Sequence, residues 1–251
     1  MQDKTTLEDA LAVMRDLRRR CDWDAAQTHE SLRPYLIEES HEVDEALRAG
    51  DDRLLREELG DLLLQILFHS VIAEERGAFD LYAVAETLVT KMKGRHPHLY
   101  GDAAREPWER MKAKRRASIV DGLPTGLPAL HRAYRLQERA AGVGFDWPDT
   151  TGPTDKVEEE LNEVRTELAA GGSGERLTSE LGDLLFACVN LCRKAGVHPA
   201  LALEHSNAAF VRRFRSVEAL ARQRGIALGE ASLATLDELW DEVKRDERAR
   251  A

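Results

Sequence analysis

One acidic pattern is written twice in this 251-residue chain. Glu39-Ser40-His41-Glu42 is followed, fifteen residues on, by Glu58-Leu59-Gly60-Asp61. Glu160-Leu161-Asn162-Glu163 is followed, sixteen residues on, by Glu180-Leu181-Gly182-Asp183. Positions i and i+3 share a helix face, so each pair aims both carboxylates the same way. The spacers are long enough for the chain to reverse, and two such helices face to face would focus four carboxylates on a small volume. That charge density is unfavourable alone, and a hard cation such as Mg²⁺ is the usual remedy. Apolar context separates these pairs from ordinary solvated ones: Asp61 runs into Leu62-Leu63-Leu64-Gln65-Ile66-Leu67-Phe68, and Asp183 into Leu184-Leu185-Phe186-Ala187-Cys188-Val189. Carboxylates at the rim of a core are rare unless paired or metal-bound. The duplicated pattern predicts an enzyme.

The elements that must position these groups read as helices throughout. Leu7, Leu11, Met14 and Leu17 recur at helical spacing. Pro34 fits the opening of the Glu39 helix and Gly50 its end. Further helices are predicted over 53–76, 81–94, 154–170, 175–195, 199–224 and 233–248, with Gly171-Gly172-Ser173-Gly174 as a turn. Alternating β-type runs are absent. The breaker-rich Asp121-Gly122-Leu123-Pro124-Thr125-Gly126-Leu127-Pro128 reads as a junction. The expectation is an all-α chain of two repeated helical domains, 1–120 and 131–251, joined by a Gly/Pro-rich segment at 121–130.

The duplication extends past the carboxylates. Trp23, flanked by Asp22 and Asp24, precedes the first acidic helix, and Asp146-Trp147 the second. Trp108 and Lys112 lie four apart, as do Trp240 and Lys244, a spacing suited to stacking a flat ring and meeting a phosphate. Basic residues cluster at Lys91, Lys93 and Arg95, and again at Arg212, Arg213 and Arg215. His96 and His98 read as solvent-exposed or capping histidines after a helix.

A net charge of −10 and a pI near 5.4 argue against general nucleic-acid binding. The start lacks the apolar stretch of a secretory signal, and the longest apolar run, about 62–73, is too short to cross a bilayer. Cys21, Cys188 and Cys192 are odd in number and read as reduced core residues of a cytoplasmic protein. No Gly-Lys-Ser/Thr occurs, so a phosphate-cradling P-loop is excluded.

At these residues the chain resembles the MazG family of nucleoside triphosphate pyrophosphohydrolases in its two-domain bacterial form. The motifs carrying the resemblance are EESHEV with EELGDLLLQ, KVEEELNEV with SELGDLLFACVNLCRK, GRHPHLYGD, DGLPTGLPAL and NAAFVRRF. The resemblance implies an α-helical fold whose bundles are completed across a homodimer. It also implies Mg²⁺-dependent conversion of nucleoside triphosphates to monophosphates and pyrophosphate, with Mn²⁺ as an alternative ion and broad nucleotide house-cleaning as the role. The metal ligands it implies are Glu39, Glu42, Glu58 and Asp61, and again Glu160, Glu163, Glu180 and Asp183. Lys156, Arg176 and Arg213 fall at phosphate contacts, Trp240 at the nucleoside and Lys244 at the polar end of the ligand. In the first half Lys91, Arg95, Trp108 and Lys112 correspond.

The chain departs from the family pattern in both halves. Ala209 stands where a Lys is common and Ser179 where a Glu is common. Tyr35 and Leu54 replace the basic residues ahead of the first acidic pairs, and Cys21-Asp22 replaces a Cys-Pro. Glu38 and Glu159, each beside a ligand position, are candidates for orienting or deprotonating a water. A pyrophosphohydrolase of dUTP or phosphoribosyl-ATP would use a similar acidic cage, and a non-catalytic nucleotide-binding dimer is the reading from a different class.

Overall fold

The computed structural model describes residues 5–101 and 118–250, and Trp108 and Lys112 lie outside them. Every element among the described residues is a helix, and the all-α expectation stands. The chain divides into two compact units, Met1–Arg105 and Glu106–Ala251. The first carries α1 (Leu7–Arg20), α2 (Asp22–Ala26), α3 (Arg33–Ala49), α4 (Asp52–Glu75), α5 (Leu81–Arg95) and α6 (Pro97–Tyr100). The second carries α7 (Ala129–Gly142), α8 (Thr151–Ala169), α9 (Glu175–Lys194), α10 (Pro199–Gln223) and α11 (Leu233–Arg250). Among the described residues no helix is long and apolar enough to cross a membrane.

Local chemistry fixes the helix ends that matter for the acidic pairs. Thr6 and Asp9 form a capping box on α1, Thr6 Oγ1 accepting from the Asp9 amide while an Asp9 oxygen accepts from the Thr6 amide. Pro34 lies in the first turn of α3, where its missing N–H costs nothing. Gly50 ends that helix at φ +65°, a left-handed conformation that favours glycine. Asp51 then caps α4 by accepting from the Arg53 and Leu54 amides. Only two residues separate α3 from α4, so the chain reverses and the two helices pack. The α8–α9 pair is joined by the glycine-rich turn and packs likewise. His96 ends α5, its Nδ1 2.8 Å from the Met92 carbonyl oxygen, which is the capping one of the two roles open to it.

The core of the first unit joins Leu11 and Met14 of α1, Leu32, Leu67, Phe68, Val71 and Ile72 of α4, and Leu81. Each large apolar side chain buried there contributes roughly 1.5–3 kcal/mol. Arg18 ties α1 to the loop after α2 and to α4. Its guanidinium donates to the carbonyls of Ala25 (3.1 Å) and Gln27 (2.9 Å), and its Nε to Glu75 (2.9 Å). In the second unit, α10 and α11 share Val217, Ala221 and Leu239. Arg139 holds the breaker-rich segment to this unit by donating to the carbonyls of Ile119 (3.1 Å) and Asp121 (2.7 Å).

Two differences from the sequence expectation have physical causes. Helix α8 starts at Thr151, three residues early, because Pro153 is tolerated in a first turn and is buried there. Helix α7 is absent from the periodicity reading. Its buried residues are Gln137 and Arg139, polar groups that hide a core face from a hydrophobicity pattern.

Arg18→Ala removes a largely buried hub and leaves the carbonyls of Asp24, Ala25 and Gln27 without that donor. It is expected to cost about 2–4 kcal/mol, measured by chemical denaturation; Glu75→Gln, at an exposed partner, costs less.

Candidate metal centre and adjoining cavity

Helix α3 carries Glu39 and Glu42 on one face, and α4 carries Glu58 and Asp61 in its early turns. Carboxylate oxygens of Glu39, Glu58 and Asp61 all lie within 4.8 Å of one another. Burial is the main influence pushing the Glu39 carboxyl above the usual carboxylate range, followed by a hydrogen bond shared with Glu42 and the charges of Asp61, Glu42 and Glu38. Glu58 is also pushed up, first by burial, then by the charges of Glu42, Asp61 and Glu57. Glu42 thus belongs to the same charge cluster without joining its tightest triad.

The second unit builds the same arrangement from α8 and α9. Oxygens of Glu160, Glu180 and Asp183 lie within 4.8 Å of one another, and Glu160 is buried, with 5% of its surface exposed. Glu163 is pushed up chiefly by the charge of Glu160, then by burial and by Glu180. Here a cation joins the cluster. Lys156 Nζ stands 2.6 Å from a Glu160 oxygen and 2.9 Å from a Glu159 oxygen, and these bonds hold the ammonium firmly protonated. Tyr35, four residues before Glu39, occupies the corresponding place in the first unit and carries no such charge.

Other expected site residues make different contacts. Arg176 is ion-paired with Glu167 at 2.8 Å beside the α8–α9 turn. Gly172 leaves that carboxylate room, since a Cβ there would lie 2.2 Å from a Glu167 oxygen. Arg213 and Arg212 both pair with Glu247, at 2.7 and 2.8 Å, linking α10 to α11. The Trp240 ring lies against Phe210, centroids 5.4 Å apart, and Lys244 Nζ is 3.9 Å from Asp241. Lys91 is exposed on α5 and Arg95 is half-buried at its end. Glu38 and Glu159 are exposed, the latter engaged by Lys156.

Sequence reasoning missed a cavity of about 470 Å³ in the second unit. Lys156, Glu160 and Asp183 line it together with Gln137, Phe186 and Asn190. No local pattern signals it, because Gln137 shares the buried face of α7 with Arg139 and not with apolar residues.

Both triads offer only carboxylate oxygens, the donor chemistry of a hard divalent cation. Carboxyls raised by burial and by one another's charge mark a site whose charge is uncompensated, so the residues present fit such an ion. A carboxyl whose folded-state value is raised destabilises the fold when ionised. That penalty is fully present above the raised value and fades as pH falls through it toward the ordinary 4.5. Glu39→Gln is therefore expected to melt above wild type in chelator at neutral pH. The gap should close as the pH approaches 4.5, and a divalent cation should reverse its sign; differential scanning calorimetry reads all three.

Residues 27–100 match the family model described as the MazG nucleotide pyrophosphohydrolase domain. A Thermotoga maritima protein named nucleoside triphosphate pyrophosphohydrolase/pyrophosphatase MazG is 43% identical over 246 residues, covering 94% of this chain and 95% of that one. A nucleoside triphosphate pyrophosphohydrolase of Escherichia coli K12 is 42% identical over 248 residues, 93% of this chain and 94% of its own length. One from Mycolicibacterium smegmatis is 37% identical over 207 residues, 70% of this chain and 64% of its own length.

Proposed function

This chain is an enzyme of the MazG family of nucleoside triphosphate pyrophosphohydrolases, and we propose that it converts a broad range of nucleoside triphosphates to monophosphates and pyrophosphate with Mg²⁺. The observation that carries this reading is the pair of carboxylate triads, each closed to within 4.8 Å. Glu39, Glu58 and Asp61, with Glu42, would hold the ion in one unit; Glu160, Glu180 and Asp183, with Glu163, in the other. When bound, Mg²⁺ neutralises carboxylate and phosphate charge together, lowers the pKa of a water and stabilises a leaving pyrophosphate.

The rest of the chemistry falls to side chains. A triphosphate is strongly anionic, and carboxylates repel it unless cations intervene. Lys156, already beside Glu160, supplies a fixed positive charge where phosphate oxygens meet the triad. Glu159 and Glu38 are adjacent to ligand glutamates and exposed, so either can accept a proton from an attacking water. Lys156 also engages Glu159, so the second site couples its candidate base to its phosphate contact.

Dimerisation belongs to the same reading. Leu181 and Leu185 on α9 and Leu201, Leu203, Phe210, Val211 and Phe214 on α10 are exposed within one chain. A homodimer covers such a surface. It can also set the α10–α11 residues Arg213, Trp240 and Lys244 of one copy against the acidic pair of another, where the family resemblance puts substrate. Each unit is then one copy of a repeated helical domain, and the chain works in the cytoplasm, where nucleoside triphosphates are made.

Pyrophosphate release from a nucleotide panel with and without Mg²⁺ tests the proposal. Asp61→Asn and Asp183→Asn, made separately, are expected to lower the rate of their own unit by roughly 30- to 1,000-fold, the cost of a lost electrostatic stabiliser. Metal-independent turnover, or full activity in the double variant, would remove the ligand assignment. Sedimentation should give twice the 28.2 kDa chain mass.

A further inference from the structure

Two histidines of the first unit touch each other and take no part in the chemistry above. His29 lies in the 27–32 segment between α2 and α3, His69 lies on α4, and both are half-buried. Their Nδ1 atoms are 2.8 Å apart. The ring centroids are 5.1 Å apart and the planes 16° from parallel. Imidazoles joined through nitrogens this close can have their centres no farther apart, so both Nδ1 atoms sit on the line of centres. The contact is edge to edge, the geometry of a hydrogen bond and not of face stacking. One Nδ1 therefore carries a proton and the other accepts it.

The pair ties the open end of the α3–α4 hairpin, whose other end is closed by the Gly50-Asp51 connection. Glu39 stands eleven residues before Gly50 and Asp61 ten after Asp51, while His29 stands twenty-one before and His69 eighteen after. The carboxylates thus lie between the connection and the histidines. At the open end α3 begins without a side-chain cap. Thr28 and Ser31 each accept from the other's amide within the turn, and Leu32 is buried in the core. The second unit offers a built-in contrast. Ten residues before Glu160 and eight after Asp183, where His29 and His69 stand relative to Glu39 and Asp61, it has Thr150 and Leu191. Its own histidine contact, His131 with His198, joins α7 to the start of α10.

We propose that His29 and His69 are positioning residues of the first unit, an acid-sensitive clasp that holds the start of α3 against α4 and so keeps Glu39 in register with Glu58 and Asp61. With at most one added proton the pair keeps a donor facing an acceptor. With both rings protonated, two N–H groups and two positive charges face each other, and the clasp opens. Neighbouring charges do not offset this. Arg15 and Arg18 of α1 are answered by Glu74 and Glu75 of α4, Arg33 of α3 by Glu30, and Asp80 accepts from an α5 amide. Burial, then the charge of His29, holds His69 below the usual histidine range. The unfolded chain takes up that proton near 6.5 and the folded chain only below it. The clasp is therefore whole above 6.5 and is lost as pH falls through 6.5 toward the lowered value.

The test is amide hydrogen exchange on full-length wild type, His29→Asn and His29→Ala, at pH about 7.5 and about 5.5, each rate referred to the intrinsic rate at that pH. Asparagine keeps a donor and an acceptor near the Nδ1 position and does not titrate. Wild type should lose protection in the opening turns of α3 by about 3- to 10-fold on acidification, the worth of a neutral hydrogen bond. His29→Asn should keep it, His29→Ala should lack it at both pH values, and the opening turns of α8 should respond alike in all three. Equal acid loss in wild type and His29→Asn, or full protection in His29→Ala, overturns the clasp. If the variants do not fold, the nitrogen spectrum of wild type labelled in its histidines decides: a proton shared between the two Nδ1 atoms supports the clasp, and both rings protonated at Nε2 alone overturn it. The effect on turnover rests on the pyrophosphohydrolase reading and is measured with Asp183→Asn silencing the second unit. Pyrophosphate release should then fall about 3- to 10-fold further on acidification with His29 than with His29→Asn. Equal falls overturn the positioning role. If no nucleotide is hydrolysed at either pH, the proposed function fails, and exchange at α3 still decides the clasp.

Discussion

Like-charged carboxylates drawn to within 4.8 Å raise the free energy of the folded chain, and the architecture around them reads as the means of tolerating it. Two packed helices are needed for each triad, because a single helix presents only an i, i+3 pair on one face. The short Gly50-Asp51 connection and the glycine-rich 171–174 turn bring each partner helix back at the required register. Below each triad the helix runs on into apolar residues, in the first unit the Leu67, Phe68, Val71 and Ile72 cluster, whose burial offsets the repulsion at the rim.

The two units answer the same constraint differently. In the second, Lys156 reaches Glu160 and part of the charge is balanced within the protein. In the first, Tyr35 takes that place, and Glu39 and Glu58 are left above the usual carboxylate range. The second is better suited to grip a polyanion, since it has its own ammonium beside the triad. That difference parallels the cavities: an apolar groove near the first triad, and a mixed aromatic and polar cavity beside the second.

Long-range ion pairs do different work from the triads. Arg18 in the first unit and the Asp146–Arg193–Lys194 group in the second both anchor the Trp-bearing segment that precedes an acidic helix. Asp146 is held well below the usual carboxylate range by Arg193, so this clamp stays ionised at neutral pH. Trp23 meets Tyr35 and Phe68 edge-on at 6.4 Å, and Trp147 covers Gly152. The Trp-Asp motifs thus act locally, as fixed walls near the acidic helices.

The sequence by itself determined the helices, most of their ends and the identity of the clustered acids. Those follow from local chemistry: i, i+3 spacing, proline in a first turn, glycine at a left-handed cap, and the apolar run after Asp61 and Asp183. It could not show α7 as part of a site, because Gln137 and Arg139 bury polar groups whose partners lie 49 and 18 to 20 residues away. Nor could it show that Arg176 answers Glu167, or that Arg213 answers Glu247. A basic side chain has several acidic neighbours along a charged chain, and only packing selects which one lies within reach. The cavity was decided by tertiary structure alone, since it exists only where α7, α8 and α9 meet.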